Sequence, residues 1–158
     1  MLKVSKGVEQ GVFVLIMLAL QKNHIPVKSN ILSEVLNVSD SYLKKVLRKL
    51  VVADLISSNA SKDGGFQLKK PIEKISFFDI CMALDPIREI ELQNMHLANR
   101  IFPNDPEHVK QSEKTVVDTF SKGTEAFYNE LRAVSLSELL KKEKYTEGTI
   151  DWPSQIEK

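Results

Sequence analysis

A predicted helix from residue 40 to about residue 53 has one apolar side and one basic side. Its apolar residues recur at the spacing of residues that share a helix face; they are Leu43, Val46, Leu47 and Leu50. The opposite side collects Ser41, Lys44, Lys45 and Arg48. Lysine and arginine can neutralise phosphates or bind guanine edges, and serine can bond to a base or a phosphate. The pattern indicates a nucleic-acid surface, although any solvated amphipathic helix shows a charged outer face.

The segments before this helix would position it. An apolar helix is predicted from about residue 5 to residue 21. Pro26 confirms that the helix has ended by then, because proline disfavours a helical conformation in the residue before it. Ser29 is a good N-cap for a short second helix that stops near Asn37, and Ser39 is a good N-cap for the third. Two helices joined by about three residues, the second with a basic outer face, are typical of a helix-turn-helix.

A hairpin is predicted directly after the basic helix. Residues 55–58 and 66–68 have the pattern of short strands, and Gly64 and Gly65 supply the turn, because glycine accepts positive φ angles. Lys62 lies at the tip, from which it could reach the DNA backbone or the minor groove. Residues 1–70 are therefore predicted to form a winged helix-turn-helix.

The net charge of +1 conceals two halves of opposite sign. Residues 1–70 carry eleven Lys and Arg against five Asp and Glu, a net charge of +6. Residues 71–158 carry eleven against sixteen, a net charge of −5. A basic half joined to an acidic half favours a polyanionic partner for the basic one.

Several classes of protein are disfavoured. The one cysteine, Cys81, excludes an intrachain disulfide framework and a multi-thiolate metal site, and it favours a reducing compartment. The apolar run at residues 11–20 is shorter than the roughly 20 residues that span a bilayer, and no small-residue cleavage site follows it. His24, His96 and His108 are far apart, and no Gly-rich phosphate loop is present. We expect a cytoplasmic protein without a cofactor that is neither an enzyme nor membrane-bound.

The second half predicts further helices, so the fold class is mainly α with a small β-hairpin. Residues 71–104 are expected to form a connecting helix and a linker, with Cys81 as a small core residue rather than a redox-sensing thiol. Asp105 followed by Pro106 is a strong helix start, and this helix should run to about residue 134. Residues 105–144 would hold the long helix and a short final helix, and residues 145–158 a loose tail.

The long helix carries a narrow apolar stripe. Its steps of seven and four residues suit a helix that packs along another helix, either on its own core or on a second subunit. The stripe consists of Val109, Val116, Val117, Phe120, Phe127, Leu131 and Val134.

Several stretches, in this order and spacing, resemble the Rrf2 family of bacterial transcription regulators. They cover about half of the chain and comprise Lys6-Gly7, Ile25-Pro26-Val27, Val38-Ser39-Asp40-Ser41-Tyr42-Leu43-Lys44-Lys45-Val46-Leu47, Leu50 with Ala53-Asp54-Leu55-Ile56-Ser57-Ser58, Gly64-Gly65-Phe66-Gln67-Leu68 and Ile75-Ser76-Phe77-Phe78-Asp79-Ile80.

The resemblance implies a homodimeric transcription factor, here expected to be a repressor. Its third helix and wing would bind double-stranded DNA, and the long helix would form the dimer through the apolar stripe. Twofold symmetry implies a palindromic operator. The expected DNA-facing residues are Ser29, Ser39, Ser41, Tyr42, Lys44, Lys45, Arg48, Asn59, Lys62, Gly64 and Gly65.

Two departures from the family pattern shape this expectation. Many members hold an iron–sulfur cluster with three cysteines before the dimer helix, but residues 87–106 contain none, and Met95 and His96 cannot replace them. We therefore expect no cluster. In the wing, Ala60 stands where an arginine is common, and Lys62 can replace the charge of that arginine but not its planar fork of donors.

The signal that the protein senses stays open. A small-molecule effector, a protein partner and oxidation of Cys81 are all compatible with the sequence. The acidic half also supports an alternative function, in which the winged helix acts through contact with a metabolic enzyme or another regulator.

Overall fold

The computed structural model describes residues 3–86 and 97–156. The chain divides into two compact units, one combining residues 1–86 with 131–158 and the other covering residues 87–130. The first unit is larger than the 1–70 domain expected from the sequence, because residues 71–86 and the C-terminal residues belong to it. Met95 and His96 lie outside the described residues.

Helix α1 spans Lys6–Leu20 and is buried on most of its faces, as its apolar sequence predicts. Ser5 begins the helix, because its hydroxyl accepts a hydrogen bond from the Val8 amide at 3.3 Å. Val14 and Leu15 have no exposed surface. This helix supplies much of the core of the first unit.

Helices α2 (Ser29–Leu36) and α3 (Asp40–Val52) form the predicted helix-turn-helix. Asn37 closes α2 in the left-handed conformation, with φ of 52°. Ser39 caps α3 as expected, but the N-cap of α2 is Lys28 rather than Ser29. The Lys28 carbonyl accepts the Ile31 and Leu32 amides, so the helix gains one residue at its start without a side-chain cap.

Strands β1 (Ile56–Asn59) and β2 (Gly65–Leu68) pair antiparallel and form the wing. Val27 extends the pairing, since its amide and carbonyl both bond to Phe66, at 2.9 and 2.8 Å. Gly65 has φ of +148°, and a Cβ there would lie 2.5 Å from the Val27 carbonyl carbon. Only glycine therefore allows the wing to approach the segment before α2 this closely.

Helix α4 (Phe77–Leu84) packs against α1 and α3. A reciprocal capping box begins it, in which the Ser76 hydroxyl accepts from the Asp79 amide and the Asp79 carboxylate accepts from the Ser76 amide. A one-turn 3-10 helix, Leu136–Leu139, stands where the sequence predicts a short final helix. Leu136 is fully buried, and its amide donates to the Ile75 carbonyl.

The C-terminal residues form two short helices, α7 (Lys142–Tyr145) and α8 (Trp152–Ile156). Tyr145 is buried, and α8 packs against α2. Residues 145–156 therefore differ from the loose tail that the sequence predicts.

In the second unit, helix α5 covers Leu97–Ile101. The long helix α6 spans Pro106–Ala133, and all but its last three residues belong to the same unit. The Asp105 carboxylate accepts a hydrogen bond from the His108 amide at 3.1 Å, so Asp105 and Pro106 start the helix as predicted. Phe102 packs edge-on against His108, with ring centroids 4.3 Å apart. Among the described helices, none combines the length and the hydropathy needed to cross a membrane.

Candidate DNA-binding surface

The polar side chains of α3 share one exposed face. Leu43, Leu47 and Leu50 are fully buried on its inner side, which fixes the rotation of the helix. The outer side exposes Ser41, Tyr42, Lys44, Lys45 and Arg48. The spacing that predicts a basic outer face thus corresponds to a continuous surface along one helix.

The Ser39 hydroxyl acts mainly as the N-cap of α3. Its hydroxyl accepts a hydrogen bond from the Tyr42 amide at 3.4 Å and lies 3.0 Å from the Ser41 hydroxyl. Because the Ser39 hydroxyl already caps α3, Ser41 is the freer hydrogen-bonding group at this end of the helix.

Lys44 forms an ion pair with Asp40, one helical turn earlier, at 2.8 Å. The Asp40 carboxylate also accepts from the Ser33 hydroxyl of α2 at 3.4 Å. The hydrogen bond from Lys44 is the main reason that the pKa of Asp40 is lowered, and hydrogen bonds from Ser33 and Ser29 act in the same direction. Ser29 itself is half-buried at the start of α2.

Tyr42 leans toward the first helix. A Cβ placed on Gly7 would lie 3.1 Å from the Tyr42 hydroxyl, so the ring passes over the start of α1. About 39% of Tyr42 stays exposed, which leaves part of the ring on the outer surface. It therefore packs on its own unit while forming an edge of the basic face.

Lys45 and Arg48 are exposed, and no ion pair involves either of them in the described part of the chain. Lys49, beside them, donates instead to the Leu84 carbonyl at the end of α4, at 3.2 Å. These three cations line an open groove of about 580 Å³ together with the exposed apolar side chains of Val52 and Met82. Lys45 and Arg48 are thus the cations of α3 most available to an external anion.

The tip of the wing is closed by its own hydrogen bonds. The Asn59 side-chain oxygen accepts from the Ser61 amide at 3.0 Å, and the Gly64 amide donates to the Ser61 carbonyl at 2.8 Å. Asn59 and Gly64 therefore shape the turn, as Gly65 shapes its base. Lys62 is exposed at the tip and is the cation that this loop offers to a partner.

Lys28 is an exposed cation beside the expected surface, and the sequence pattern does not single it out. It begins α2, and a Cβ on Gly65 would lie 2.9 Å from its amide nitrogen, so it adjoins the base of the wing. The signal that could have identified it is a lysine directly before the first helix of a helix-turn-helix, where a helix N-terminus favours an anion.

The apolar stripe of α6 is unevenly covered. Val116 and Phe120 are 40% and 55% exposed, which is high for residues of these types. Val117, Phe127 and Leu131 are half-buried, and Val109 is buried. Gly123 lies among them, and a Cβ added there would meet nothing within 4 Å.

A sequence model of one protein family matches residues 4–142 of the chain. This family is Rrf2, described as “Iron-dependent Transcriptional regulator”. YffB of Lactococcus lactis subsp. lactis (strain IL1403), whose name describes an HTH-type transcriptional regulator, is 42% identical over 84 residues. The match covers 53% of this chain and 54% of YffB, so the chain spans about half the length of the curated relatives that it matches.

Solved structures share the fold along most of the chain. CymR, the global cysteine regulator of B. subtilis, is similar with a TM-score of 0.56 and 21% identity, over 88% of this chain and 96% of CymR. IscR of T. potens is similar with a TM-score of 0.61 and 21% identity, over 97% of this chain and 96% of IscR. These similarities support the predicted fold class, a winged helix with a long C-terminal helix.

The description of the matched family implies iron, but the donors of this chain do not fit an iron–sulfur cluster. Such a cluster needs several thiolates or a set of thiolates and histidines, and the chain has one cysteine. Burial, followed by the charge of Asp85, raises the pKa of the Cys81 thiol, so the thiol is protonated at neutral pH. Within residues 3–86 and 97–156, no three His, Cys, Asp or Glu side chains gather as metal ligands would.

Proposed function

The chain belongs to the Rrf2 family of transcriptional regulators, and we propose that it acts in the cytoplasm as a dimeric repressor that binds a palindromic DNA operator. The observation that carries this proposal is the exposed face of α3, where Ser41, Lys45 and Arg48 stand outside a fully buried leucine row. A helix of this kind can enter the major groove with its apolar side held by the core.

The wing adds a second basic element to this surface. Lys62 at its tip and Lys28 at its base are both exposed. Cations at such positions contribute phosphate contacts, which fix the register of the protein on the duplex, while α3 contacts the bases. Ser41 and Arg48 are the proposed base-contacting residues, and Lys44, Lys45, Lys28 and Lys62 are the proposed phosphate contacts.

The uncovered part of the α6 stripe supports a dimer. Exposed Val116 and Phe120 lie on one side of the helix, with Gly123 between them and Phe127. A second copy of α6 could cover these side chains and approach closely at Gly123. Two winged helices related by a twofold axis would then meet two half-sites, which supports a palindromic operator.

The proposed regulator works without an iron–sulfur cluster, because its thiol set is insufficient. Repression requires only that the dimer occupy a promoter, so it is the simplest activity for a DNA-binding unit of this kind. The signal would then be a small molecule or a protein partner that changes the affinity for the operator.

The salt dependence of DNA binding tests the function. Genomic fragments bound by the wild-type protein are first selected, and affinity for one of them is measured at several salt concentrations. We expect a steep loss of affinity with salt, and each substitution Lys45→Ala or Lys62→Ala should reduce the slope by about 0.9, the value for one phosphate contact. Salt-insensitive binding, or recovery of a stoichiometric protein partner without DNA, would contradict the proposal and favour the protein-contact alternative.

A reporter assay tests the direction of regulation. The selected fragment is placed before a reporter gene, and deletion of the regulator should raise expression. A fall in expression on deletion would identify an activator instead.

A further inference from the structure

The C-terminal segment, residues 145–156, is bonded to the connection between α1 and α2. The Ile150 carbonyl accepts from the Lys22 amide at 2.7 Å, and the Leu20 carbonyl accepts from the Thr149 and Ile150 amides at 2.9 and 3.0 Å. The Glu147 carbonyl accepts from the Asn23 amide at 3.0 Å. These bonds satisfy backbone groups that the end of α1 leaves without helical partners.

His24 adds a side-chain contact at the other end of this connection. Its Nε2 lies 2.9 Å from the Tyr145 carbonyl and 3.1 Å from the Ala19 carbonyl, so its one N–H is shared between the start of the segment and α1. The connection between α1 and α2 is thus bonded to the segment both through its backbone amides and through the His24 ring.

Gln21 joins the segment to the core. It has no exposed surface, and its side chain uses both ends, with Nε2 donating to the Asp151 carboxylate at 3.1 Å and Oε1 accepting from the Trp152 amide at 3.2 Å. The Trp152 indole donates in turn to the Met17 carbonyl at 2.8 Å. A buried amide whose two ends are both bonded fixes the position of its partners closely, because losing either bond leaves a buried polar group unpaired.

The backbone of the segment is also shaped for this contact. Gly148 has φ of +69°, and a Cβ there would lie 1.9 Å from the Gln21 carbonyl oxygen. Glycine is needed for both the conformation and the close approach. The turn therefore brings Ile150, Asp151 and Trp152 against the end of α1.

From this anchor the segment reaches the helix-turn-helix. Helix α8 packs against α2. Helix α2 in turn packs against α3. The Ser33 hydroxyl, which donates mainly to the Asn30 carbonyl of α2 at 3.0 Å, lies 3.4 Å from the Asp40 carboxylate, and Asp40 pairs with Lys44 on the outer face. Contacts thus run from α8 through α2 to the helix that carries the basic face.

We propose that residues 145–156 act as a clamp that holds α2, and through it α3, in the orientation needed to read a DNA sequence. Gln21 and Trp152 are positioning residues for this activity and do not touch the DNA. The effect on sequence-specific binding rests on the proposed function, because it requires that the protein bind DNA. The effect on the position of α2 rests only on the contacts described above. The clamp lies wholly beyond the span matched by the family model, which ends at residue 142.

A role in positioning and a role in general stability predict different results. Loss of stability alone reduces the amount of active protein and weakens binding to every duplex equally. A misplaced α3 loses base contacts while its cations still meet phosphates, so only the preference for the selected sequence falls.

The experiment compares full-length variants on two duplexes of equal length, one recovered by selection with the wild-type protein and one with its sequence scrambled. Trp152→Ala and Gln21→Leu should weaken binding to the selected duplex by about tenfold, with binding to the scrambled duplex unchanged. Trp152→Phe keeps a ring but removes the indole donor, so its effect should be intermediate and it provides a milder variant. Gln155→Ala, at an exposed residue of the same helix, should match the wild type on both duplexes.

Hydrogen exchange of the same proteins without DNA gives a separate readout. Trp152→Ala should speed exchange of the α2 amides, with Trp152→Phe between it and the wild type. Equal loss on both duplexes, or unchanged exchange in α2, would overturn the clamp. If selection with the wild-type protein recovers no DNA, the proposed function fails, and hydrogen exchange in α2 alone then decides whether the clamp holds that helix.

Discussion

Lys44 Nζ lies 2.8 Å from the Asp40 carboxylate on the outer face of α3. The side chains of Lys44 and Asp40 are 61% and 42% exposed, so the pair lies on the surface that we propose to bind DNA. Asp40 thus places a negative charge on a basic surface and occupies one of its cations. Lys45, the next residue, has no such partner among the described residues.

Asp40→Asn should therefore increase affinity for DNA. The substitution removes a charge that repels phosphates and releases Lys44, and we expect binding to strengthen by about threefold to tenfold at low salt, with a steeper salt slope. Because Lys44 holds the pKa of Asp40 below its usual range, the carboxylate is charged at neutral pH and the difference should vanish only in acid. Titration of a labelled duplex at several salt concentrations measures both quantities.

Asp54→Asn is the matched control for this prediction. Asp54 is also an exposed aspartate paired with a lysine, Lys69, at 2.7 Å, but it lies beyond the end of α3. Its replacement should change DNA affinity much less. Equal gains from both variants would mean that net charge, rather than the position of Asp40, controls binding.

Gly65→Ala should destabilise the protein by about 1–3 kcal/mol, the cost of a strained backbone conformation. The added methyl group would meet the backbone of Val27 and push the wing from its pairing with that residue. Chemical denaturation measures the loss in the free energy of unfolding. Asp63→Ala, an exposed change in the same loop, should leave the stability within about 0.5 kcal/mol of the wild type. If Gly65→Ala unfolded at the same denaturant concentration as the wild type, the close approach of the wing to Val27 would be contradicted.

The elements that could be predicted from the sequence are those whose signals are local. Ser39 lies next to the helix that it caps, and Leu43, Val46 and Leu50 reveal the buried side of α3 by their spacing alone. Asp105 and Pro106 mark the start of α6 in the same way. The basic face followed directly, because the side of a helix opposite its core is exposed.

The C-terminal segment was not predictable because its partners are distant in the sequence. Trp152 bonds to Met17 across 135 positions, and Tyr145 bonds to His24 across 121. Its short helices have too few residues to show a periodic pattern. A tryptophan among polar residues was the available signal, since such a large side chain is usually packed against a core.

Cys81 should react slowly with thiol reagents. Burial, and then the negative charge of Asp85, raises the pKa of its thiol, so the reactive thiolate is scarce at neutral pH and increases only as the pH rises above the ordinary range of a cysteine. The rate of modification by a disulfide reagent should be well below that of the urea-unfolded chain. Asp85→Asn should increase the rate in the folded protein.

The same chemistry predicts that mild oxidation does not control DNA binding. Cys81→Ala should bind the selected duplex as the wild type does, and treatment with peroxide should alter neither protein. Rapid modification of Cys81 at neutral pH, or loss of binding on oxidation in the wild type alone, would instead identify a redox sensor.

Phe120→Glu should break the proposed dimer. Phe120 is 55% exposed on the apolar stripe of α6, beside Val116 and Gly123, so a carboxylate there would face its own copy across a twofold axis. Sedimentation should show a monomer, and affinity for a palindromic duplex should fall toward that for a single half-site, because two linked half-sites bind far more tightly than one. Gln111→Glu adds the same charge at an exposed position of α6 on the other side from the stripe, so it should leave the dimer intact. A dimeric Phe120→Glu protein would show that α6 does not form the interface through this residue.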